Sequence, residues 1–140
     1  MNTQDEVVKL YQKFDKYKKN TDNQLHCHIE PSFELNQYKV HRHNGKVVAF
    51  TNWAFMSEKH EEHYKKTGQM LFNFWDSGDR CWIVDSVCHD DNFNAVYEWA
   101  KKYFTQQLGI GVPVSWLRVE DYGKIKEKNT KFTKEEYIDG

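Results

Sequence analysis

Several features that would point directly to a function are scarce in this chain. No stretch approaches the roughly 20 apolar residues of a membrane-spanning helix, and the first residues lack the charged start and apolar run of a secretory signal. The three cysteines, Cys27, Cys81 and Cys88, form no Cys-x-x-Cys pair. We therefore expect no membrane span and no signal-directed secretion, and we expect reduced thiols in a cytoplasmic protein.

An excess of one charge is also absent, because 20 lysines and arginines stand against 21 aspartates and glutamates. The net charge of −1 lacks the basic bias of nucleic-acid binders, so we expect no nucleic-acid partner. Two His-x-His pairs, at 26–28 and 41–43, have no third ligand at a diagnostic spacing, and we expect no metal site.

The chain does contain enough apolar and aromatic residues for a folded core, at 39% and 16% of its 140 residues. We expect a single domain over residues 1–140. Periodicity predicts helices at 3–19, 57–68 and 92–108, the first from a Thr3-x-x-Glu6 capping box. Strands are predicted at 38–42, 46–53, 81–87 and 114–119, the first two joined as a hairpin by Asn44-Gly45. The fold class is α/β, a mixed sheet with helices packed on it.

One acidic residue interrupts the apolar strand predicted at 81–87. A carboxylate inside a buried strand is costly unless another group pairs with it. Asp85 is therefore the first candidate for chemistry.

The sequence around Asp85 also resembles a known family. Residues 75–85 read Trp-Asp-Ser-Gly-Asp-Arg-Cys-Trp-Ile-Val-Asp, similar to the Trp-x-Ser-Gly-Asp-Arg-x-Trp-x-x-Asp signature of RTX toxin-activating lysine acyltransferases. The family's Gln-Tyr hairpin, its Ser-Trp-Ala-x-x-Ser segment, its Arg-Val pair and its Gly-Lys pair have counterparts in the same order, at 37–38, 52–57, 118–119 and 123–124. The resemblance covers about residues 36–132.

Membership in this family would imply an acetyltransferase-like fold with a mostly antiparallel mixed sheet. It would also imply transfer of a fatty acyl group from acyl carrier protein to a lysine of a target protein. The implied partners are acyl carrier protein, as donor, and the lysine-containing substrate, with no bound cofactor; a homodimer is a further expectation.

The resemblance implies a catalytic pair of one histidine and one aspartate. Asp85 occupies the aspartate's place in the signature, at the same distance from Ser-Gly-Asp-Arg. The family's histidine follows a Pro-Leu pair, and Leu25-His26 is the nearest match here. We therefore predict His26 as the base and His28 as the second candidate, because imidazole titrates near neutrality and a carboxylate can orient it.

Four further residues flank the predicted site. Ser77 and Arg80 belong to the signature turn, and Trp53 and Trp82 stand beside Asp85 on neighbouring strands, where an aromatic side chain could line an acyl pocket. We predict all four to contact substrate, although large aromatic residues more often form an ordinary core.

Two other functions stay open at this level. A relative that kept the fold and lost the chemistry would act as a protein-binding module, which the absence of a histidine near Asp85 would favour. A coenzyme A-dependent N-acetyltransferase would need the Gln-x-x-Gly-x-Gly segment at 106–111 to begin a helix, whereas Gly109 is expected to end one. The lysine-rich segment 123–134 is predicted as an edge strand or tail, with docking of an acidic carrier protein as its functional alternative.

Overall fold

The computed structural model describes residues 2–119 and 125–138, which form one five-stranded sheet with helices on both faces. The strands are β1 (Tyr38–His43), β2 (Lys46–Met56), β3 (Arg80–Cys88), β4 (Pro113–Val119) and β5 (Ile125–Phe132), adjacent in that order. The helices are α1 (Thr3–Tyr11), α2 (Asp22–Glu34), α3 (Glu58–Thr67) and α4 (Asp90–Leu108), with short 3₁₀ turns at Asp15–Tyr17, Phe72–Phe74 and Glu135–Tyr137.

All neighbouring strands are antiparallel except β3 and β4, which run parallel and are connected through α4. The expected α/β class with a mostly antiparallel mixed sheet is confirmed. Within the described ranges, none of the helices has the length and apolar character that crossing a bilayer requires.

The predicted hairpin is present between β1 and β2. Asn44 and Gly45 both have positive φ, at 53° and 79°, the backbone that a two-residue turn needs to match the strand twist. The helix predicted at 57–68 and the strand predicted at 81–87 are also present, as α3 and β3. Ser57 caps α3 by accepting from the His60 N–H, and Gly68 ends it with φ of 69°.

The predicted start of the first helix is off by one residue, and its predicted end is wrong. Asn2, not Thr3, forms the capping box, with Asp5 as its partner. The helix ends at Tyr11, after which the N–H groups of Lys13 and Phe14 bond carbonyls only three residues back. A 3₁₀ turn at 15–17 takes the place of the expected last turns.

The second helix, α2, covers a segment for which no helix was predicted. Thr21 and Gln24 form a capping box at its start. Leu25, Ile29 and Ser32 recur at helical spacing and are fully buried. Both candidate histidines therefore lie on a helix.

The sheet separates the core into layers. Helices α1, α2 and α3 cover one face, where the α1 and α2 side chains meet Phe50 and Val87 and Tyr64 of α3 meets Trp82. Helix α4 covers the opposite face, where Phe104 packs on Trp53. The edge strand expected near the end of the chain is β5; Gly123 and Lys124, part of the family match, lie outside the described residues.

Gly78 provides a test of the close approach between the signature turn and β2. A Cβ at this position would lie 2.5 Å from the Met56 carbonyl oxygen and 2.6 Å from the Ser57 Cα, both backbone atoms. We expect Gly78→Ala to lower the free energy of unfolding by about 1–3 kcal/mol in urea titrations, because the backbone must shift. The exposed neighbour provides the control, since Asp79→Ala is expected to stay within about 0.5 kcal/mol; equal stabilities of the two variants would contradict the close contact.

Candidate active site

The carboxylate of Asp85 receives hydrogen bonds from three side chains although its own side chain is only 9% exposed. His28 Nε2 lies 2.6 Å from Oδ2, and the Tyr11 hydroxyl donates to the same oxygen at 2.7 Å. The Tyr17 hydroxyl lies 3.5 Å from Oδ1. These partners offset the cost of burying the charge.

A β-bulge aims Asp85 at this cluster. Ile83 is opposite Trp53 and Asp85 is opposite Asn52, so Val84 is an extra residue on β3. Side chains alternate along a regular strand, so without a bulge Asp85, two residues after Ile83, would share the face of Ile83, which packs against α4. With the bulge, Asp85 faces α1 and α2, where its partners lie.

A chain of buried polar groups connects the bulge to α2. The Asn52 side-chain oxygen accepts from the Asp85 N–H at 2.9 Å, and its amide nitrogen donates to the Ser32 hydroxyl at 3.2 Å. Ser32 in turn donates to the Ile29 carbonyl at 2.7 Å. Asn52 and Ser32 are both fully buried, so this chain fixes α2 over the bulge.

The structure brings His28, and not His26, to Asp85. Positions two apart on an α-helix point about 200° apart around its axis. His26 Nε2 accordingly lies 3.1 Å from Asp5 on α1, on a different side of α2. The pairing of Asp85 with His26 expected from the sequence is therefore wrong in geometry, and the second candidate, His28, makes the contact.

Burial and charge act in opposite directions on this pair. Burial by itself would raise the pKa of Asp85, but the positive charge of His28 and the hydrogen bonds from His28 and Tyr11 outweigh it and hold that pKa below its usual value. The negative charge of Asp85 raises the pKa of His28, against a smaller opposing effect of burial. For Tyr11, burial first and the charge of Asp85 second raise the pKa well above its usual value, so the phenol stays a proton donor.

The tautomer of His28 follows from its partner. An ionised carboxylate only accepts hydrogen bonds, so Nε2 carries the proton that faces Asp85. In neutral His28 the second ring nitrogen, Nδ1, then holds the lone pair that can accept a proton.

A cavity of about 870 Å³ adjoins Asp85 where β3 and β4 separate. The two strands pair only over 81–83 and 114–116 although both continue for several residues. The lining comes from both faces of the sheet and is largely apolar; it includes Tyr17, Tyr64, Val84, Asp85, Phe93, Val96, Phe104, Val114, Trp116 and Leu117.

The two tryptophans predicted to line a pocket lie in the core instead. Trp53 is 3% exposed among the aromatic rings of α4, and Trp82 is 1% exposed against Tyr64. Neither lines the cavity, whereas Trp116 of β4 does. Trp53 lies on β2 and Trp82 on β3, inner strands of the sheet whose two faces are both covered by helices, so both rings are buried.

Ser77 and Arg80 also lie away from the cavity lining. The Ser77 hydroxyl is 2.7 Å from His60 Nδ1, accepts from the Ser57 N–H and donates to the Phe74 carbonyl. Arg80 is 2.7 Å from Glu61. The signature turn is thus tied to the start of α3.

The Gly-x-Gly segment at 109–111 follows α4 rather than beginning a helix. Gly109 caps the helix C-terminus with φ of 89°, so the carbonyl end of the helix dipole is at this loop. Phosphate binding in the acetyltransferase manner requires the N–H end. The loop therefore does not have the geometry of a coenzyme A pyrophosphate site.

Comparison with known proteins agrees with the family resemblance of the sequence motifs. The model of the RTX toxin acyltransferase family matches residues 3–132. The chain belongs to this family. The match begins well before residue 36, so it includes α1 and α2 as well as the segment that the sequence motifs identified.

The curated relatives of this family member are similar at modest identity. The RTX-II toxin-activating lysine-acyltransferase of Actinobacillus pleuropneumoniae is 26% identical over 98 residues, 69% of this chain and 61% of the relative. The leukotoxin-activating lysine-acyltransferase of Aggregatibacter actinomycetemcomitans is 27% identical over 104 residues, 74% of this chain and 61% of the relative. A protein-lysine myristoyltransferase of Escherichia coli is 28% identical over 87 residues, 61% of this chain and 50% of the relative. The chain thus spans between half and two thirds of the length of these three relatives.

Sequence reasoning did not single out Tyr11 or Asn52 as parts of the site. Tyr11 lies within the predicted first helix, and its hydroxyl contacts Asp85, 74 residues away in the sequence, only because the two elements pack together. The helix that carries His28 did have a signal, because Thr21-x-x-Gln24 is a capping box.

The first test of this geometry is the pKa of His28 in Asp85→Asn. The negative charge of Asp85 is the largest cause of the raised pKa of His28, so its removal is expected to lower that pKa. NMR titration of the imidazole resonances measures the change. A His28 pKa that is the same in Asp85→Asn and the parent would contradict the pairing.

The pair also gives stability a defined pH dependence. Because the pKa of His28 is raised in the folded state, this group contributes stability at pH values below about 6.5, and that contribution is lost as the pH rises through the folded-state pKa. Because the pKa of Asp85 is lowered, this group contributes stability above about pH 4, and that contribution is lost as the pH falls through the folded-state pKa. We expect urea unfolding to show a decline in the free energy of unfolding between about pH 6 and 9 that is smaller in His28→Gln. Equal slopes in the two proteins would contradict this assignment.

Proposed function

We propose that this protein moves a fatty acyl group from a carrier-protein thioester to the ε-amino group of a lysine in another protein. The observation that carries the proposal is the 2.6 Å contact between His28 and the buried Asp85, a carboxylate that also lines a largely apolar cavity. Membership in the RTX toxin acyltransferase family supports the reaction class.

His28 is the proposed general base. A lysine attacks a thioester only as the free amine, so its ammonium proton must be removed near neutral pH. In this scheme the ammonium first loses one proton through His28 Nδ1 to solvent, and the free amine nitrogen then forms a bond to the thioester carbonyl carbon. As the carbon–sulfur bond breaks, the nitrogen gives a second proton to His28 Nδ1, which passes it to the departing thiolate.

Asp85 is the proposed orienting and charge-stabilising group. It fixes the His28 tautomer through Nε2 and stabilises the imidazolium that forms when the base accepts a proton. Tyr11 supports this role by donating to the same carboxylate oxygen. Ser77 and Arg80, in the proposal, hold the signature turn in place beside β3 and do not touch the donor.

The cavity is the proposed site of the acyl chain. Its volume of about 870 Å³ lies within the roughly 300–1,000 Å³ of ligand sites in proteins, and its walls suit an aliphatic chain. In this proposal Trp116 and Phe104 line the acyl site, which is the role that the sequence analysis predicted for Trp53 and Trp82.

Acyl carrier protein is the proposed donor. Lys128, Lys131 and Lys134, on β5 and just after it, are exposed, which suits an acidic partner. The coenzyme A alternative is less well supported because the loop at 109–111 follows a helix. A cytoplasmic location and a homodimer stay predictions, the latter open to sedimentation analysis.

A non-catalytic binding module is the second function considered. It would have been favoured by the absence of a histidine near Asp85. Instead, His28 lies at hydrogen-bond distance with a raised pKa, the state expected of a working base.

The proposed function predicts unequal effects of two substitutions on one helix. With a fatty acyl carrier-protein thioester and a lysine-containing acceptor peptide, we expect His28→Ala to slow transfer by about 10²- to 10⁴-fold. We expect His26→Ala, two residues away, to leave the rate within about twofold, because His26 contacts Asp5 and not Asp85. Thioester loss and acceptor mass are the two readouts.

Circular dichroism of both variants controls for folding. Full activity of His28→Ala, or a loss confined to His26→Ala, would contradict the assignment of the base. Absence of transfer in the parent, together with no binding of the loaded carrier, would favour the binding module.

A further inference from the structure

The lining of the cavity contains more basic than acidic side chains. Of the described residues that line it, four are basic and two are acidic, in a chain whose net charge is −1. One of the acids, Asp85, is already paired with His28, and the other, Asp15, pairs with Lys18. Two of the lining lysines, Lys101 and Lys131, carry charge that the proposed apolar acyl chain does not use.

Two of these cations lie on the same aromatic ring. Lys101 of α4 has its Nζ 5.0 Å from the ring centroid of Tyr97, and Lys131 of β5 has its Nζ 5.2 Å from that centroid. Lys131 also donates to the Tyr97 hydroxyl at 2.7 Å. We call Tyr97, Lys101 and Lys131 the tyrosine–lysine cluster.

The hydrogen-bond capacity of the cluster is only partly used. The Tyr97 hydroxyl accepts from Lys131, which leaves its own hydrogen free to donate. The ammonium group of Lys131 has three hydrogens for the hydroxyls of Tyr97 and Tyr137, and no carboxylate in the described part of the chain lies within salt-bridge distance of it. Lys101 lies 5.1 Å from the ring centroid of Tyr137, and its ion-pair partner among the described residues is Glu98, which is 70% exposed and so binds weakly.

The position of the cluster indicates what kind of ligand the cavity would bind. Phe93, Tyr97, Lys101 and Phe104 follow one another at helical spacing along α4, and all line the same cavity. The apolar residues suit a hydrocarbon chain, while the cluster suits an anion with several acceptor oxygens. A thioester with a hydrocarbon chain on one side and a phosphate on the other would suit both the apolar residues and the cluster.

We propose that the tyrosine–lysine cluster binds the phosphate of a 4′-phosphopantetheine arm, the group that bears the acyl thioester in both acyl carrier proteins and coenzyme A. This assignment rests on the proposed function, because it presumes a thioester donor. It makes Lys101 and Lys131 determinants of donor choice rather than participants in the proton transfer at His28.

The test uses two donors that differ only in the phosphate, S-myristoyl-4′-phosphopantetheine and S-myristoyl-pantetheine. We expect the parent protein to prefer the phosphorylated donor by about tenfold or more in kcat/KM, the effect of a hydrogen bond between charged partners. Lys131→Met is expected to remove most of that preference by lowering kcat/KM for the phosphorylated donor. Tyr97→Phe is expected to remove part of it.

The matched control is Lys128→Met, because Lys128 is an exposed lysine of the same strand that does not line the cavity. It should keep the full preference. Equal kcat/KM for the two donors in the parent, or a preference that survives the combined Lys101→Met and Lys131→Met substitutions, would overturn the proposal.

A binding measurement separates this proposal from the proposed function. Calorimetry with free 4′-phosphopantetheine and free pantetheine needs no chemistry at His28. Tighter binding of the phosphorylated arm that is lost in Lys131→Met supports the cluster even if no transfer occurs, whereas equal binding of the two arms overturns it.

Two larger donors identify the source of the phosphate. A loss of kcat/KM in Lys131→Met that Lys128→Met does not share, with myristoyl carrier protein, with myristoyl-coenzyme A or with both, supports the cluster and names the donor that uses it, whereas an equal loss in both variants with carrier protein reports docking alone and overturns the assignment of the phosphate. Full activity of Lys131→Met with every donor that the parent accepts would overturn the proposal.

Discussion

The contact between His28 and Asp85 is the interaction on which the rest of the site depends. A carboxylate with 9% of its side chain exposed stays charged only because an imidazole and a phenol donate to it. The same hydrogen bonds select the tautomer of His28 and raise its pKa. One pairing therefore both offsets the cost of burying the acid and prepares the base.

That pairing is made possible by one extra residue in β3. Val84 has no partner in β2, and Asp85 turns to the face of α1 and α2 as a result. Asn52 holds the bulge through the Asp85 N–H and holds α2 through Ser32. On the other side of the bulge, β3 parts from β4 and leaves the cavity, so the same stretch of strand positions both the acid and the proposed acyl site.

Local signals predicted much of this fold from the sequence. Asn44-Gly45, Ser57 and Gly68 mark turns and helix ends through backbone requirements of their own, and the structure has each feature where it was expected. Asp85 stood out as an acid in an apolar strand. The sequence could not decide between His26 and His28 because the direction of a side chain depends on the local structure: an extended segment would put both on one face, whereas α2 separates them. The bulge at Val84 has no sequence signal of its own, since it arises from the pairing of two strands.

A double-mutant cycle on the rate of acyl transfer tests most directly that Asp85 and His28 act as one unit. The rates to compare are those of the parent, Asp85→Asn, His28→Gln and the double variant, with Asp85→Asn combined with His26→Gln as a parallel cycle. If the two residues form one unit, His28→Gln lowers the rate only a little further in a protein that already carries Asp85→Asn. In the parallel cycle, the effect of His26→Gln on the rate is the same with and without Asp85→Asn. Rate losses at Asp85 and His28 that simply multiply would contradict the account.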